Sequence, residues 1–260
     1  MAKIIVLGAM KGGVGKSVST YNLAYSLNKL GKKVLVVDFD SSANITRCVV
    51  EDIKTVEISI GDLMMNQMDE EEQPNPAEYI INRNGVDFIL SSKVLSAVDA
   101  KLRLEMGAEK ILACILEPFR EEYDYILIDT CPSLNTLTIN ALSAADEVII
   151  AANPQFWAMV GLEDFLLTVK KIKNRVKSKL DVSGILLTMC EERTNLCKVI
   201  TEEVAGTFNG KLRIFDSKIP STVKVGESVY YGEPLLEYAP RTKACRMYQN
   251  LAKELIADED

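Results

Sequence analysis

The stretch Lys3-Ile-Ile-Val-Leu-Gly-Ala-Met10 runs into Lys11-Gly12-Gly13-Val14-Gly15-Lys16-Ser17-Val18 and on into Ser19-Thr-Tyr-Asn-Leu-Ala-Tyr-Ser-Leu27. The first segment is a short β-branched apolar run, and the last carries apolar residues at helical spacing. A glycine-rich loop joins them. Glycines let successive backbone N–H groups turn toward one centre, and the helix N-terminus adds its partial positive charge. That combination is a cradle for phosphate oxygens. Lys16 is placed to reach the β- and γ-phosphates, and the Ser17 hydroxyl is placed to bind Mg²⁺. The observations imply a site for ATP and Mg²⁺.

Outward from this loop, short apolar runs alternate with helical patterns. Strands are expected at Lys3–Leu7, Lys33–Asp38, Val86–Leu90, Tyr125–Asp129, Glu147–Ala152 and Val182–Thr188. Helices are expected at Ser17–Leu30, Leu102–Phe119, Leu137–Ala144 and Leu162–Val176, with a last one from about Thr242 to Ile256. Such alternation predicts an α/β fold of the P-loop NTPase kind, a mostly parallel twisted sheet with helices on both faces. A single domain over residues 1–260 is expected, with no internal repeat and no linker. Met64 to Pro76 reads as an exposed loop, and Lys211 to Pro240 as short strands and turns. Ligands on such sheets bind beyond the carboxyl ends of the strands.

Two more motifs fall at strand ends. Val37-Asp38-Phe39-Asp40 sets two carboxylates at i and i+2, which on an extended chain point to the same side, so both can face the phosphates. Tyr125-Ile-Leu-Ile-Asp129-Thr130 is an apolar strand ending in a carboxylate, the Walker B form, so Asp129 is expected to bind Mg²⁺ through water. The following Thr130-Cys131-Pro132-Ser133 has the look of a loop that senses the γ-phosphate.

Composition narrows the chemistry. The chain holds no histidine, which excludes Ser-His-Asp triads, Cys-His dyads and histidine-ligated metals. A general base must then be a carboxylate or a lysine. Six cysteines are scattered without a CxxC pair, which points to reduced thiols and a cytoplasmic setting. No apolar run approaches the roughly 18 to 20 residues of a membrane span, and no signal peptide is read at the N-terminus. The net charge of -7 is uneven: residues 165–250 hold 15 Lys and Arg against 9 Asp and Glu. That asymmetry fits either ordinary surface variation or one face that meets a polyanion.

The loop carries a lysine at position 11 and Met10 where a standard motif has glycine. This KGGVGK[ST] pattern resembles the deviant Walker A loop of the ParA/MinD family. Further stretches resemble ParA/Soj-like partition ATPases: Asp129-Thr-Cys-Pro-Ser-Leu-Asn, Gly184-Ile-Leu-Leu-Thr-Met, Arg193-Thr-Asn-Leu, Ile219-Pro220 and Gly232-Glu-Pro-Leu-Leu-Glu-Tyr-Ala-Pro-Arg241. The resemblance implies that Lys11 crosses a homodimer interface to the partner subunit's nucleotide, in the manner of an arginine finger. It implies that Asp40 orients or activates the attacking water and that Asp38 helps hold the magnesium hydration shell. Lys11 to Val18, Pro220 and Thr222 are the implied nucleotide contacts. Arg193 and Lys224 match positions that bind double-stranded DNA without sequence preference. A ParB-type centromere-binding partner is expected to stimulate hydrolysis.

Departures and rivals accompany the resemblance. Ser41-Ser42-Ala43-Asn44 follows Asp40 where the family usually has Pro-Gln-Gly-Asn, and Ser221 stands where an arginine is usual. The basic run Lys170, Lys171, Lys173, Arg175, Lys177 and Lys179 is either a solvated helix end or a further DNA contact. A MinD-like membrane ATPase would end in a basic amphipathic helix, whereas this sequence ends Ala257-Asp-Glu-Asp260, so no membrane partner is expected. A ligase of the cobyrinic acid or dethiobiotin synthase type would need an acceptor site that the sequence does not display. Cys131 invites comparison with the nitrogenase iron protein, but no second cysteine has matching context. The sequence begins at the loop's own strand, so no preceding helix-turn-helix domain is expected.

Overall fold

The structure is a computed structural model, described here for residues 1–260 except 10, 155–157, 178, 192, 209–211 and 259–260. Met10 and Lys211, both singled out above, lie outside the described residues. Seven strands form one sheet: β1 Lys3–Gly8, β2 Val34–Phe39, β3 Ile80–Arg83, β4 Val86–Ile89, β5 Tyr125–Thr130, β6 Glu147–Ala152 and β7 Asp181–Leu187. The α-helices are α1 Lys16–Lys29, α2 Thr46–Val49, α3 Ile60–Met68, α4 Val94–Leu102, α5 Ile111–Leu116 and α6 Thr136–Ala144. They continue with α7 Ala158–Arg175, α8 Asn195–Phe208, α9 Val223–Tyr230, α10 Leu235–Tyr238 and α11 Lys243–Ala257.

The strand order is β3-β4-β2-β5-β1-β6-β7, and every pairing is parallel except that of β3 with β4. Strands β2 and β5 are buried along their whole length, as expected of strands covered on both faces. Alternation decides which face each side chain serves. Ile4, Val6, Ile126 and Ile128 join the core under α3 to α8, while Ile5, Leu7, Tyr125 and Leu127 join the core under α1 and α11. From β1 the chain builds one side of the sheet through β2 to β5, then crosses to β6 on the other side of β1. The carboxyl end of β1 therefore lies at the reversal of strand order, where open α/β sheets bind ligands.

All six expected strands are present to within a residue or so at either end. The expected helix over Leu102–Phe119 is broken. Gly107 takes a left-handed φ of 65°, a 3-10 turn Ala108–Lys110 leads into α5, and past Leu116 the chain tightens into a 3-10 helix, Glu117–Glu121, that contains Pro118. Met64 to Pro76 is not all loop: α3 runs through Met68, with Met64 and Met68 buried. The described part of Lys211 to Pro240, residues 212–240, contains α9 and α10 in place of strands; isolated bridges at Ile214 and Pro220 and a backbone bond from Ile219 to Leu187 join it to β7 and the loop beyond it. The edge strand β3 and helix α8 have no counterpart in the sequence reading.

Candidate nucleotide-binding site

Residues 11–15 turn the chain from β1 into α1. Gly13 and Gly15 sit at φ of 74° and 79°, a left-handed conformation that side chains resist. A Cβ on Gly13 would meet no protein atom within 4 Å, so the backbone angle requires this glycine and the space beside it is open to a ligand. Between them Val14 is buried, and its carbonyl accepts a hydrogen bond from Thr188 Oγ1 at 2.7 Å. Thr188, just past β7, thus ties the loop to the neighbouring strand end. Thr130 does the same from β5, donating to the Leu7 carbonyl at 3.0 Å.

Three carboxylates and one ammonium gather at the ends of β2, β5 and α1. Asp38 and Asp129 are partners in the β2–β5 register, and both are fully buried. Neither oxygen of Asp129 has a hydrogen bond of normal geometry, although the Ser17 hydroxyl is close enough to favour its charged form. Burial, and then the nearby Asp38, push its pKa up to about 8. Asp38 is pushed up to about 6 by burial, against the pull of the Thr46 hydroxyl and amide, which both donate to its Oδ2 at 2.7 and 2.8 Å. Lys16 is buried, and desolvation lowers its pKa while Asp129 and Asp40 oppose that shift.

A buried carboxylate without partners is unstable as an anion unless a cation joins it. The donors at hand are the oxygens of Ser17 and Asp129, a hard set that fits a hydrated Mg²⁺ held through one or two protein groups. Asp38 and Asp40, expected from the i, i+2 spacing to face the phosphates together, both act on Asp129 but take different hydrogen-bond partners. Asp38 is taken up by Thr46, whereas Asp40 Oδ1 accepts from the Ser42 amide at 2.9 Å and the side chain borders the cavity. The chain bends sharply at this point, with Ala43 at φ 53°.

A cavity of about 680 Å³ opens in front of the loop. Of the expected residues, Gly12, Gly13, Gly15, Lys16, Ser17, Val18 and Asp40 line it. Val14 is turned into the protein, and Lys11 is exposed at the start of the loop. Pro132, in the expected sensor loop, faces Gly12 across the cavity rim. Pro220 and Thr222 are not among the lining residues. Pro220 bridges to Cys190, and the Thr222 hydroxyl accepts from the Lys224 amide as the N-cap of α9. The far wall is made by Tyr21, Ile45, Arg47, Cys48, Val229 and Tyr230, which no motif announced. Cys131 is held by Ser133, Asn135 and Thr138, and among the described residues no group of histidine, cysteine or acidic side chains is set to hold a metal by itself.

The two expected DNA cations are on neighbouring segments. The Ser221 amide donates to the Cys190 carbonyl at 3.1 Å, which joins the start of the Arg193 loop to the start of α9. Arg193 is exposed. Lys224 is not free: its ammonium is 2.7 Å from Glu227 Oε2 and 5.6 Å from the centre of the Tyr238 ring. In the basic run, Lys173 pairs with Asp181 and Lys177 with Asp146. No helix among the described residues is long and apolar enough to cross a membrane.

Comparison with known proteins agrees with this geometry. Residues 2–182 match a family described as an AAA domain. The sporulation initiation inhibitor protein Soj of Bacillus subtilis is 35% identical over 99% of this chain and 100% of its own. The chromosome partitioning protein ParA of Myxococcus xanthus is 32% identical over 98% of this chain and 88% of its own. Among solved structures, a putative plasmid partition protein from Borrelia burgdorferi bound to AMPPNP superposes with a TM-score of 0.80 at 26% identity, covering 99% of this chain and all of the other. A cobyrinic acid a,c-diamide synthase from Mycobacterium smegmatis has a TM-score of 0.84 at 23% identity, over 98% of this chain and 95% of that one, and shares the fold. With the loop, the Walker B aspartate and full-length likeness together, the chain belongs to the ParA/Soj family of P-loop partition ATPases.

Proposed function

We propose that this protein is a DNA-partition ATPase in which bound ATP·Mg²⁺ joins two copies into a dimer, and the dimer binds double-stranded DNA without sequence preference. The observation that carries this reading is Asp129, fully buried beside Ser17 and Lys16 at the mouth of the glycine loop, with neither carboxylate oxygen in a hydrogen bond of normal geometry. Mg²⁺ supplies Lewis-acid charge at the phosphates when bound, through Ser17 and Asp129. Lys16 places its ammonium on the β- and γ-phosphates, and the amides of residues 12–18 hold the remaining oxygens. Asp40, at the cavity wall, orients the attacking water. Lys11 acts on the partner subunit's nucleotide, where developing phosphate charge needs a cation. Asp38 supports the metal's hydration shell from behind, and Pro220 and Thr222 approach the nucleotide on dimer formation.

Relatives named for chromosome and plasmid partition support the DNA role, as does the surplus of cations in residues 165–250. A ParB-type partner stimulates hydrolysis and so ends DNA binding, which places the protein in the cytoplasm on the nucleoid. The test is a titration of labelled random-sequence duplex with Asp40→Ala protein, with and without ATP, alongside sedimentation. ATP-dependent dimers that bind duplex support the reading. Equal DNA affinity with and without ATP overturns it. Lys16→Ala, which should lose ATP binding altogether, and Lys11→Ala, which should bind ATP yet stay monomeric, divide the nucleotide role from the dimer role.

A further inference from the structure

Asp38, in β2, and Asp40, just past it, have different carboxylate partners, yet one pair of hydroxyls outside every recognised motif reaches both residues. Ser91 lies just past β4, the strand that pairs with β2 on the side away from β5. Its hydroxyl donates to the Asp40 carbonyl at 2.7 Å. Its amide donates to Thr46 Oγ1 at 2.8 Å, and that hydroxyl in turn donates to Asp38 Oδ2 at 2.7 Å. The Thr46 amide adds a second bond to the same oxygen. Ser91, Thr46 and Asp38 are all fully buried, so water cannot replace a lost partner.

We propose that Ser91, acting with Thr46, is a positioning residue for hydrolysis. Ser91 helps hold the main chain of Asp40 where its carboxylate meets the attacking water, and Thr46 fixes Asp38 by one oxygen while the other accepts from the Asp40 amide at 3.4 Å. This rests on the proposed role of Asp40. The physical argument is one of fixed geometry. Asp40 sits where the chain turns sharply into a loop: the Ser42 amide donates to its carboxylate at 2.9 Å, the Ala43 amide and the Ser91 hydroxyl both donate to its carbonyl, at 2.9 and 2.7 Å, and of these only Ser91 comes from outside the turn. A shift of about 1 Å at such a group lowers a rate by about a hundredfold. Nucleotide affinity resides elsewhere, in residues 12–18, so the two should separate. The neighbouring Ser92 gives an internal control, because its hydroxyl bonds Ser59 at 2.8 Å and touches neither carboxylate.

The experiment measures single-turnover ATP hydrolysis and fluorescent-ATP affinity for Ser91→Ala, Thr46→Val, Thr46→Ser and Ser92→Ala, with thermal melts and Asp40→Ala in parallel. Ser91→Ala and Thr46→Val should each lower the rate between about tenfold and a hundredfold, with ATP affinity within about twofold of the parent. Thr46→Ser should restore most of the rate lost in Thr46→Val, and Ser92→Ala should hydrolyse at the parental rate. If Asp40→Ala loses hydrolysis while Ser91→Ala and Thr46→Val keep the parental rate, the positioning role is wrong and the reading of Asp40 stands. Parental hydrolysis in Asp40→Ala removes both. Loss of ATP affinity in step with rate, or an equal loss in Ser92→Ala, marks a structural effect and overturns the proposal. Should Ser91→Ala melt below assay temperature, Thr46→Val alone decides by the same criteria.

Discussion

Asp129 shows how one residue can trade stability for ligand binding. Its pKa of about 8 in the metal-free protein lies above the ordinary carboxylate value near 4, so the folded state prefers the protonated form more than the unfolded state does. Its contribution to stability is complete below about pH 4 and is lost as the pH rises through about 8. The metal-free protein should therefore gain thermal stability from Asp129→Asn at pH 8.5, on the order of a few kcal/mol, and gain much less at pH 5. The same variant should lose the stabilisation that ATP with Mg²⁺ gives the parent. Thermal melts in EDTA at the two pH values check this. A variant that melts below the parent at pH 8.5 would show that Asp129 has a partner in solution.

At the scale of elements, two contacts hold the sheet and its rim. Asp146, between α6 and β6, accepts from the Ile4 amide at 3.0 Å and from Arg120 Nη1 at 2.8 Å, and pairs with Lys177 at 3.2 Å. Burial alone would raise its pKa, but Arg120, the Ile4 amide and Lys177 together hold it below the ordinary carboxylate range. That stability is present above about pH 4 and is lost as the pH falls through the lower folded value. Asp146→Ala should cost about 1–3 kcal/mol in urea unfolding at pH 7, a difference that fades in acid. At the rim, Gly232 turns α9 into α10 at φ 64°, and a Cβ there would stand 2.7 Å from the Cys48 carbonyl in α2. Gly232→Ala should therefore destabilise by about 2 kcal/mol or more. An unchanged urea midpoint would show that α2 yields easily.

For the whole molecule, the proposed function turns on how cations would be presented in a dimer. Non-specific duplex binding draws on phosphate contacts, and each adds a salt-sensitive increment that a second subunit doubles. Of the two cations proposed for that surface, Lys224 is already paired with Glu227, while Arg193 is exposed. Arg193→Glu should weaken ATP-dependent DNA binding several-fold at low salt and less at high salt, with ATP binding unchanged. Glu227→Gln should strengthen it and steepen its salt dependence, because it releases Lys224. Fluorescence anisotropy on random duplex at two salt concentrations reads both variants. Weaker binding in Glu227→Gln would mean that the ion pair itself orders α9 for DNA.

The loop, the Walker B strand and the parallel core were legible in the sequence because each depends on local rules. Left-handed glycines, buried β-branched runs and a helix start leave marks at fixed short spacing. The same locality explains what stayed hidden. Thr46 and Ser91 reach Asp38 and Asp40 across 8 and 51 residues of chain, and Thr188 reaches Val14 across 174. No periodicity encodes such pairs; only the packing of β4 and β7 beside the site brings them in. The break at Gly107, the turn of Asp38 toward Thr46 and the neutralising of Lys224 by Glu227 are likewise matters of competing partners, which the folded molecule alone decides. Sequence thus determined which groups could bind and cleave a phosphate, and tertiary structure decided which of them are held, which are exposed and which are already engaged.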